Sequence, residues 1–263
     1  MADEVGVPLT TLRQRRYFPL PAWDVRDEIL LKAVEQGERA WLKFAAGEQL
    51  DGGAALSSIA PHPLIEHYRP RPHIVDDGAS PLESSVAESH RDRMFHAISH
   101  GGLEAFMECV RSVASSAVGE QCQYRTGPVF TSADTAGVRL VFPRPGTFKT
   151  RFGALSAYLQ QSRSPAAIRA MVALVAITNC HPFLDGNGRT GRIVWNILMN
   201  GSTRRFRYLD LKALGNRPPG NLTLYMRSAE LHGDWVGLLS FLTAALGSGT
   251  VLGVKTGLEY SEP

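Results

Sequence analysis

The sequence of 263 residues has few cysteines and no long apolar run. Its three cysteines, Cys109, Cys122 and Cys180, are odd in number and form no CxxC pair. This argues against a disulfide framework or a zinc site and predicts reduced cysteines in a core. The most apolar stretch, around residues 170–177, is too short to span a bilayer. We therefore expect a folded domain without a membrane span.

The sequence also lacks a strong charge of either sign. Its formal net charge is +3, and no run of Lys and Arg is long enough to form a nucleic-acid-binding arm. We expect no nucleic-acid partner. The first 16 residues lack the apolar centre of a signal peptide, which predicts a cytoplasmic protein. Later delivery into a host cell, as a secreted effector, would require no cleavable signal.

The periodicity of apolar residues predicts a mainly α fold. An N-terminal extension, 1–80, contains a helix at about 24–46, which Gly37 interrupts, and then a Pro- and Gly-rich linker. A domain follows at 81–246, and 247–263 forms a flexible tail. In the domain, Ser164 is the expected side-chain cap of a helix with Pro165 at its first position. Further helices are predicted at 84–98, 103–118, 166–180, 210–214, 222–231 and 234–246. Two more are predicted from residue 148 onward and from just after residue 186 to residue 200.

One β-hairpin interrupts the helical pattern. Short β-branched and aromatic runs at 128–130 and 138–142 flank the turn-forming residues 132–137. This spacing is typical of two antiparallel strands.

The stretch from His181 to Arg192 reads HPFLDGNGRTGR and lies between two apolar segments. A helix that begins at or just after Gly186 would direct unpaired N–H groups into the loop, and the glycines would let an anion approach the backbone. Asp185 suits Mg²⁺, which takes one or two carboxylates together with phosphate oxygens and water. Arg189 and Arg192 share a helix face and can both reach phosphate. His181 can accept a proton at neutral pH.

Taken singly, these features are ordinary, because a histidine beside proline and a GNG turn are common in loops. The stretch lacks the lysine of a Walker loop and has no zinc-ligand spacing. Its combination of residues, however, matches every constrained position of the signature HxFx(D/E)GNGRxxR, and the chain from about 121 to 246 resembles the Fic family. The resemblance implies the helical Fic fold with a β-hairpin flap, and transfer of AMP from ATP to a Ser, Thr or Tyr hydroxyl of a target protein.

The resemblance also implies roles for individual residues. His181 would be the general base, Asp185 would hold Mg²⁺ (or Mn²⁺), and the backbone of Gly186, Asn187 and Gly188 would bind phosphate. Arg189 would neutralise the leaving charge, and Arg192 would hold the γ-phosphate. The flap, through Val129, Phe130, Val138 and Leu140, would align the target as an added strand.

Control of the site is a separate question. Many Fic enzymes carry an inhibitory (S/T)xxxE(G/N) helix whose glutamate pairs with the second motif arginine. Residues 84–89, with Glu88, come closest to this pattern, and residues 116–121 form a second partial match; both have a different residue at the last position. Glu88 is the candidate inhibitory residue, with a solvent-exposed helical glutamate as the alternative. A small antitoxin-like protein could take the same role in trans, or the enzyme could be constitutively active.

Two other functions fit the same residues. The site could transfer UMP, GMP or phosphocholine instead of AMP. Alternatively, the chain could be a regulatory module that binds a nucleotide without turnover.

Overall fold

The computed structural model describes residues 28–46, 81–130, 142–162, 164–201, 206–212 and 221–247. Within these ranges the chain is mainly α, as predicted, with eight α-helices and one short 3₁₀ turn at Pro145–Thr147. The helices are α1 (Glu28–Ala46), α2 (Pro81–His100), α3 (Gly102–Val118), α4 (Phe148–Gln161), α5 (Ala166–Cys180), α6 (Asn187–Asn200), α7 (Asn221–His232) and α8 (Trp235–Gly247).

Helix α5 forms the centre of the bundle. Every residue from Ala170 to Ile177 is buried, as expected for a helix that is apolar on all sides. Its most extensive contact is with α6, whose residues 193–200 are also buried. The loop between Cys180 and Asn187 thus joins two tightly packed helices, so the core fixes both of its ends.

A glycine in the motif permits this close packing. A Cβ atom on Gly191 would lie 2.5 Å from Thr178 Oγ1 and 3.3 Å from the carbonyl oxygen of Leu174. A side chain at this point would push α6 away from α5, and with it the start of the loop.

The predicted N-terminal helix is present, and it packs against the domain. Helix α1 lies along α8, and the Trp41 ring meets the edge of Trp195 on α6 at 5.8 Å between centroids. Gly37 does not interrupt the helix, contrary to the prediction. A Cβ atom there would lie 2.9 Å from Thr243 Oγ1, so the glycine allows α1 to approach α8 closely.

The start of α5 differs from the sequence prediction. Pro165 is the N-cap residue, with φ −51° and ψ 155°, and the Ser164 side chain does not cap the helix. The carbonyl of Pro165 accepts hydrogen bonds from the N–H groups of Ile168 and Arg169, both at 3.1 Å. The proline ring fixes an extended entry into the helix, which leaves Ser164 one residue too early to act as the cap.

No β-hairpin is seen in the part of the chain that the structure describes. The predicted turn, with Val138 and Leu140, lies outside the described residues. The two described ends of the segment are joined by one backbone hydrogen bond, from Phe142 N–H to the Val129 carbonyl at 3.1 Å. The predicted linker also lies outside the described residues, as do residues 248–263 of the predicted C-terminal tail and residues 213–214 of the helix predicted at 210–214.

All three cysteines lie in the described part of the chain. Cys109, Cys122 and Cys180 are all free thiols, and the first and last are buried. No helix in the described ranges is both long and apolar enough to cross a bilayer.

Candidate active site

The side chain of Asn187 holds the motif loop closed. Its Oδ1 accepts a hydrogen bond from Phe183 N–H and its Nδ2 donates one to the Phe183 carbonyl, both at 2.9 Å. Both residues are buried, and Phe183 points into the core. Because both ends of the buried Asn187 amide are bound to Phe183, this side chain serves to hold the loop.

The N-terminus of α6 has the form of an anion site. Gly186 is its N-cap residue with φ 80°, and no side chain caps the helix in the described structure. A Cβ atom on Gly186 would lie 2.5 Å from Val118 Cγ2, so both its backbone angle and its surroundings require glycine. The first N–H groups of α6 are therefore open to an anion, which the positive end of the helix dipole also favours.

Asp185 and Arg189 form an ion pair at the edge of this site. Arg189 Nη2 donates to Asp185 Oδ2 at 2.7 Å, and Nη1 donates to the Ala117 carbonyl at 3.0 Å. The Asp185 side chain is 73% exposed, so its carboxylate is accessible to a metal–phosphate complex. Among the described residues no three acidic, histidine or cysteine side chains are grouped so that they could hold a metal ion.

His181 lies at the C-terminus of α5 in the left-handed conformation, with φ 49°. Its ring stacks on Phe142, with centroids 3.8 Å apart and planes inclined by 16°. Burial lowers the pKa of His181 to about 4, and the Thr178 carbonyl only partly offsets this. Nδ1 is buried without a well-formed hydrogen bond. The imidazole is thus neutral at physiological pH and able to accept a proton.

Arg192 is paired with an acidic residue that the sequence did not indicate. Its Nε and Nη2 donate to Oε2 and Oε1 of Glu83 on α2, at 3.1 and 2.6 Å. The Glu83 side chain is 5% exposed and that of Arg192 is 15% exposed. Burial alone would lower the pKa of Arg192, but the hydrogen bonds and charge of Glu83 outweigh it and the net shift is upward.

The hydroxyl of Tyr208 donates a further short hydrogen bond to Glu83 Oε2. Two buried asparagines one helical turn apart on α6 hold the backbone on either side of this tyrosine. The Asn196 amide pairs with the N–H and carbonyl of Leu209 at 2.7 and 3.1 Å, and the Asn200 amide pairs with those of Arg207, both at 2.8 Å. Because side chains alternate along extended chain, anchoring residues 207 and 209 by their backbones fixes the side from which Tyr208 projects.

Glu88, the residue predicted to pair with Arg192, is exposed on α2. The side chain of Glu120 in the second partial match is exposed as well. The carboxylate paired with Arg192 is that of Glu83, five residues before Glu88 and in the first turn of the helix.

Sequence reasoning missed Glu83, Tyr208 and Arg125. All three act through partners that are distant in the chain, and their local patterns are those of ordinary helix or loop residues. Gly191 did carry a signal, since a glycine inside a predicted helix often marks close packing.

The helical bundle thus carries an uncapped helix N-terminus, a neutral histidine in the loop before it and two arginines on the same helix, an arrangement suited to an anion. Residues 81–199 match the model of the Fic/DOC family. The chain carries a Fic/DOC family domain.

The chain is also similar to solved structures. A Fic family protein from Desulfovibrio desulfuricans G20 is 14% identical, with a TM-score of 0.57 over 89% of this chain and 75% of that one. Fic-1 (residues 134–508) from C. elegans is 13% identical, with a TM-score of 0.45 over 85% and 70% of the two chains. The first likeness supports a Fic-like fold. A comparison with curated proteins finds no match.

Proposed function

We propose that the chain is a protein adenylyltransferase, which transfers AMP from ATP to a Ser, Thr or Tyr hydroxyl of a target protein. The observation that carries this proposal is the pairing of a neutral, part-buried His181 at the end of α5 with the uncapped N-terminus of α6. Membership of a Fic/DOC domain family supports it. A base beside an anion site is the minimal arrangement for a hydroxyl to attack a phosphorus atom.

In the proposed reaction the target hydroxyl oxygen forms a bond to the α-phosphorus of ATP, and the bond from that phosphorus to the β-phosphate bridging oxygen breaks. His181 accepts the hydroxyl proton, and pyrophosphate leaves. The N–H groups at the start of α6 hold the phosphates in line, and Arg189 neutralises the charge that develops on the leaving group. The chain contributes positioning and charge, and forms no covalent bond to the nucleotide.

The donor set of Asp185 fits Mg²⁺ brought in with ATP better than a resident metal. The accessible carboxylate of Asp185 suits an ion whose other ligands are phosphate oxygens and water, and no group of three acidic, histidine or cysteine side chains in the described residues could hold a metal ion by itself. When bound there, Mg²⁺ would neutralise charge on the phosphates. Asp185 would hold the ion through its carboxylate, and Arg189, which now donates to Asp185 Oδ2, would be available to phosphate.

The target protein would bind along the segment that contains Val129, Phe130, Val138 and Leu140, by backbone pairing. In the described part of this segment, Phe130 is 36% exposed, a large apolar side chain at the surface. The adjoining Phe142 covers the ring of His181, so a target strand on this segment would bring its hydroxyl beside the base.

The ion pair between Arg192 and Glu83 bears on activity. The γ-phosphate would require the same forked donors that Glu83 now occupies, so ATP and Glu83 compete for Arg192. We propose that Glu83, and not Glu88, is the inhibitory glutamate of this chain, with Tyr208 stabilising the inhibited state. An antitoxin-like protein acting in trans remains the alternative.

Incubation of the purified protein and a lysate with labelled ATP and Mg²⁺ tests the proposed activity. Label should appear on the protein itself or on a target, and His181→Ala should abolish it while ATP binding persists. His96→Ala, which alters an exposed histidine on α2, is the matched control and should retain activity. Equal labelling by His181→Ala and wild type would disprove the mechanism.

Intact-mass measurement with a panel of donors separates the alternatives. An increment of AMP supports the proposal, whereas UMP, GMP or phosphocholine would identify a different donor at the same site. Nucleotide binding without any mass increment, even for Glu83→Gln, would identify a regulatory module without turnover.

A further inference from the structure

Arg125 lies between α3 and the predicted flap and is almost fully buried, with 4% of its surface exposed. Its side chain donates hydrogen bonds to four backbone carbonyls: Nε to His181 at 2.6 Å, Nη1 to Gly127 at 2.7 Å, and Nη2 to Pro143 at 2.5 Å and to Cys180 at 3.5 Å. Its own N–H donates to the Pro182 carbonyl at 2.9 Å. One buried cation thus holds three parts of the chain together.

These acceptors belong to two functional parts of the molecule. His181 and Pro182 follow the C-terminus of α5, where a cation is favoured by the helix dipole. Gly127 and Pro143 lie at the two ends of the segment that we assign to target docking. Because a guanidinium presents its donors in a fixed planar fork, these bonds set the geometry of one part relative to the other.

Neighbouring contacts hold the guanidinium in place and extend its effect. Its carbon lies 4.8 Å from the centroid of the Phe148 ring, a cation–π contact in a buried setting. The carbonyl it binds belongs to His181, the one described non-glycine residue with positive φ. Phe142, the residue before Pro143, stacks on the His181 ring and closes the segment by its bond to Val129.

We propose that Arg125 is a positioning residue that fixes the ring of the catalytic base relative to the segment that docks the target. This inference rests on the proposed function. Arg125 holds the His181 carbonyl from one side and the Pro143 carbonyl from the other, so the base and the docking segment move together. It touches neither substrate nor nucleotide in this role and acts through His181 and Phe142.

Arg125→Lys is the informative substitution, because lysine keeps the charge and loses the fork. Arg151→Lys is the matched control: Arg151 is equally buried, at 4% exposed, and pairs with Glu230 at 3.3 Å. Both variants lose buried hydrogen bonds, so both should be less stable in urea denaturation. Only Arg125→Lys removes the connection between the His181 carbonyl and the docking segment.

Hydrogen exchange at the Phe142 amide gives a readout that does not depend on activity. In Arg125→Lys this amide should exchange faster by roughly tenfold or more, the effect of losing a hydrogen bond to a charged group. In Arg151→Lys it should exchange as in the wild type. Unchanged exchange in Arg125→Lys, or equal acceleration in both variants, would overturn the proposal. If Arg125→Lys does not fold, Arg125→Gln is measured by the same criterion.

Kinetics then separate positioning from binding. Arg125→Lys should lower kcat for transfer to the target by roughly a hundredfold, since small misplacements of reacting groups have effects of that size. Its KM for ATP should change little, because the phosphate site on α6 is intact. A rise in KM for ATP with unchanged kcat would contradict the positioning role. If the wild type transfers no nucleotide, the proposed function is refuted. The hydrogen-exchange result would still show whether Arg125 connects the His181 carbonyl to the docking segment.

Discussion

The guanidinium of Arg192 on α6 is paired with both carboxylate oxygens of Glu83 on α2, at 3.1 and 2.6 Å. The two residues are 109 positions apart in the chain, and both are largely buried. Because Arg192 already binds the carboxylate of Glu83, an incoming phosphate could bind Arg192 only after this carboxylate is displaced. This relationship connects the packing of α2 to the proposed chemistry of the motif.

Replacing Glu83 by Gln should increase both ATP affinity and AMP transfer. The neutral amide keeps the shape of the side chain but competes less well for Arg192. We expect an increase on the order of tenfold or more, because hydrogen bonds to charged groups contribute about 1.5–3 kcal/mol. Calorimetry with ATP and initial rates of labelling measure the two effects. Without ATP the variant should be less stable than the wild type, since it leaves a buried cation only partly compensated.

Glu88→Gln is the control for this substitution. Glu88 is exposed on the same helix, and its replacement should alter neither affinity nor rate. The opposite pattern, with activation by Glu88→Gln and loss of activity in Glu83→Gln, would mean that Glu83 supports Arg192 in catalysis.

The His181 side chain should titrate near pH 4, well below the ordinary histidine value of about 6.5. An NMR titration of the imidazole, with the His181 signal assigned by its absence in His181→Ala, measures this pKa directly. Transfer should accordingly show no loss of the base between pH 8 and 6. A His181 pKa above 6 would mean that its ring is not buried as the structure has it.

The same shift predicts how stability depends on pH. The folded state favours neutral His181 and the unfolded state binds a proton below about pH 6.5, so the contribution is complete above that value. It is lost as the pH falls from about 6.5 to 4, by about 1.4 kcal/mol per pH unit. Urea denaturation over this range should show a smaller decrease for His181→Ala than for the wild type; parallel curves would contradict the shift.

Gly191→Ala should destabilise the protein and impair the site. The added methyl group would lie 2.5 Å from Thr178 Oγ1 and 3.3 Å from the Leu174 carbonyl, which forces α5 and α6 apart. We expect a loss of about 1–3 kcal/mol, typical of overpacking, measured by chemical denaturation. Adding Thr178→Ala removes the nearer contact and should restore part of the stability, because Thr178 Oγ1 is buried without a hydrogen bond of its own. No restoration in the double variant would place the strain elsewhere.

The motif itself was predictable because its determinants are local. Gly186 stands where φ is 80°, and α6 begins directly after it, as the sequence indicated. The apolar pattern of residues 166–180 predicted α5 with the correct bounds. A helix that is apolar on all sides is buried at the centre of a bundle.

Other details depended on the surroundings. Gly37 looks like a helix interruption in sequence, but α8 packs against it and the helix continues. The family resemblance assigned Asn187 a role through its backbone, and the folded loop shows both ends of its side-chain amide bound to Phe183.

The sequence by itself determined the chemistry of residues 181–192 and the helices that carry them, because turn geometry and helical periodicity are set within a few residues. Only the tertiary structure decided which groups face that chemistry. Glu83 and Glu88 lie on one helix, but five residues at about 100° each place them roughly 140° apart, so the packing of α2 allows only one to face α6. Sequence pattern alone could not tell which, because the answer depends on how the helix is rotated in the bundle.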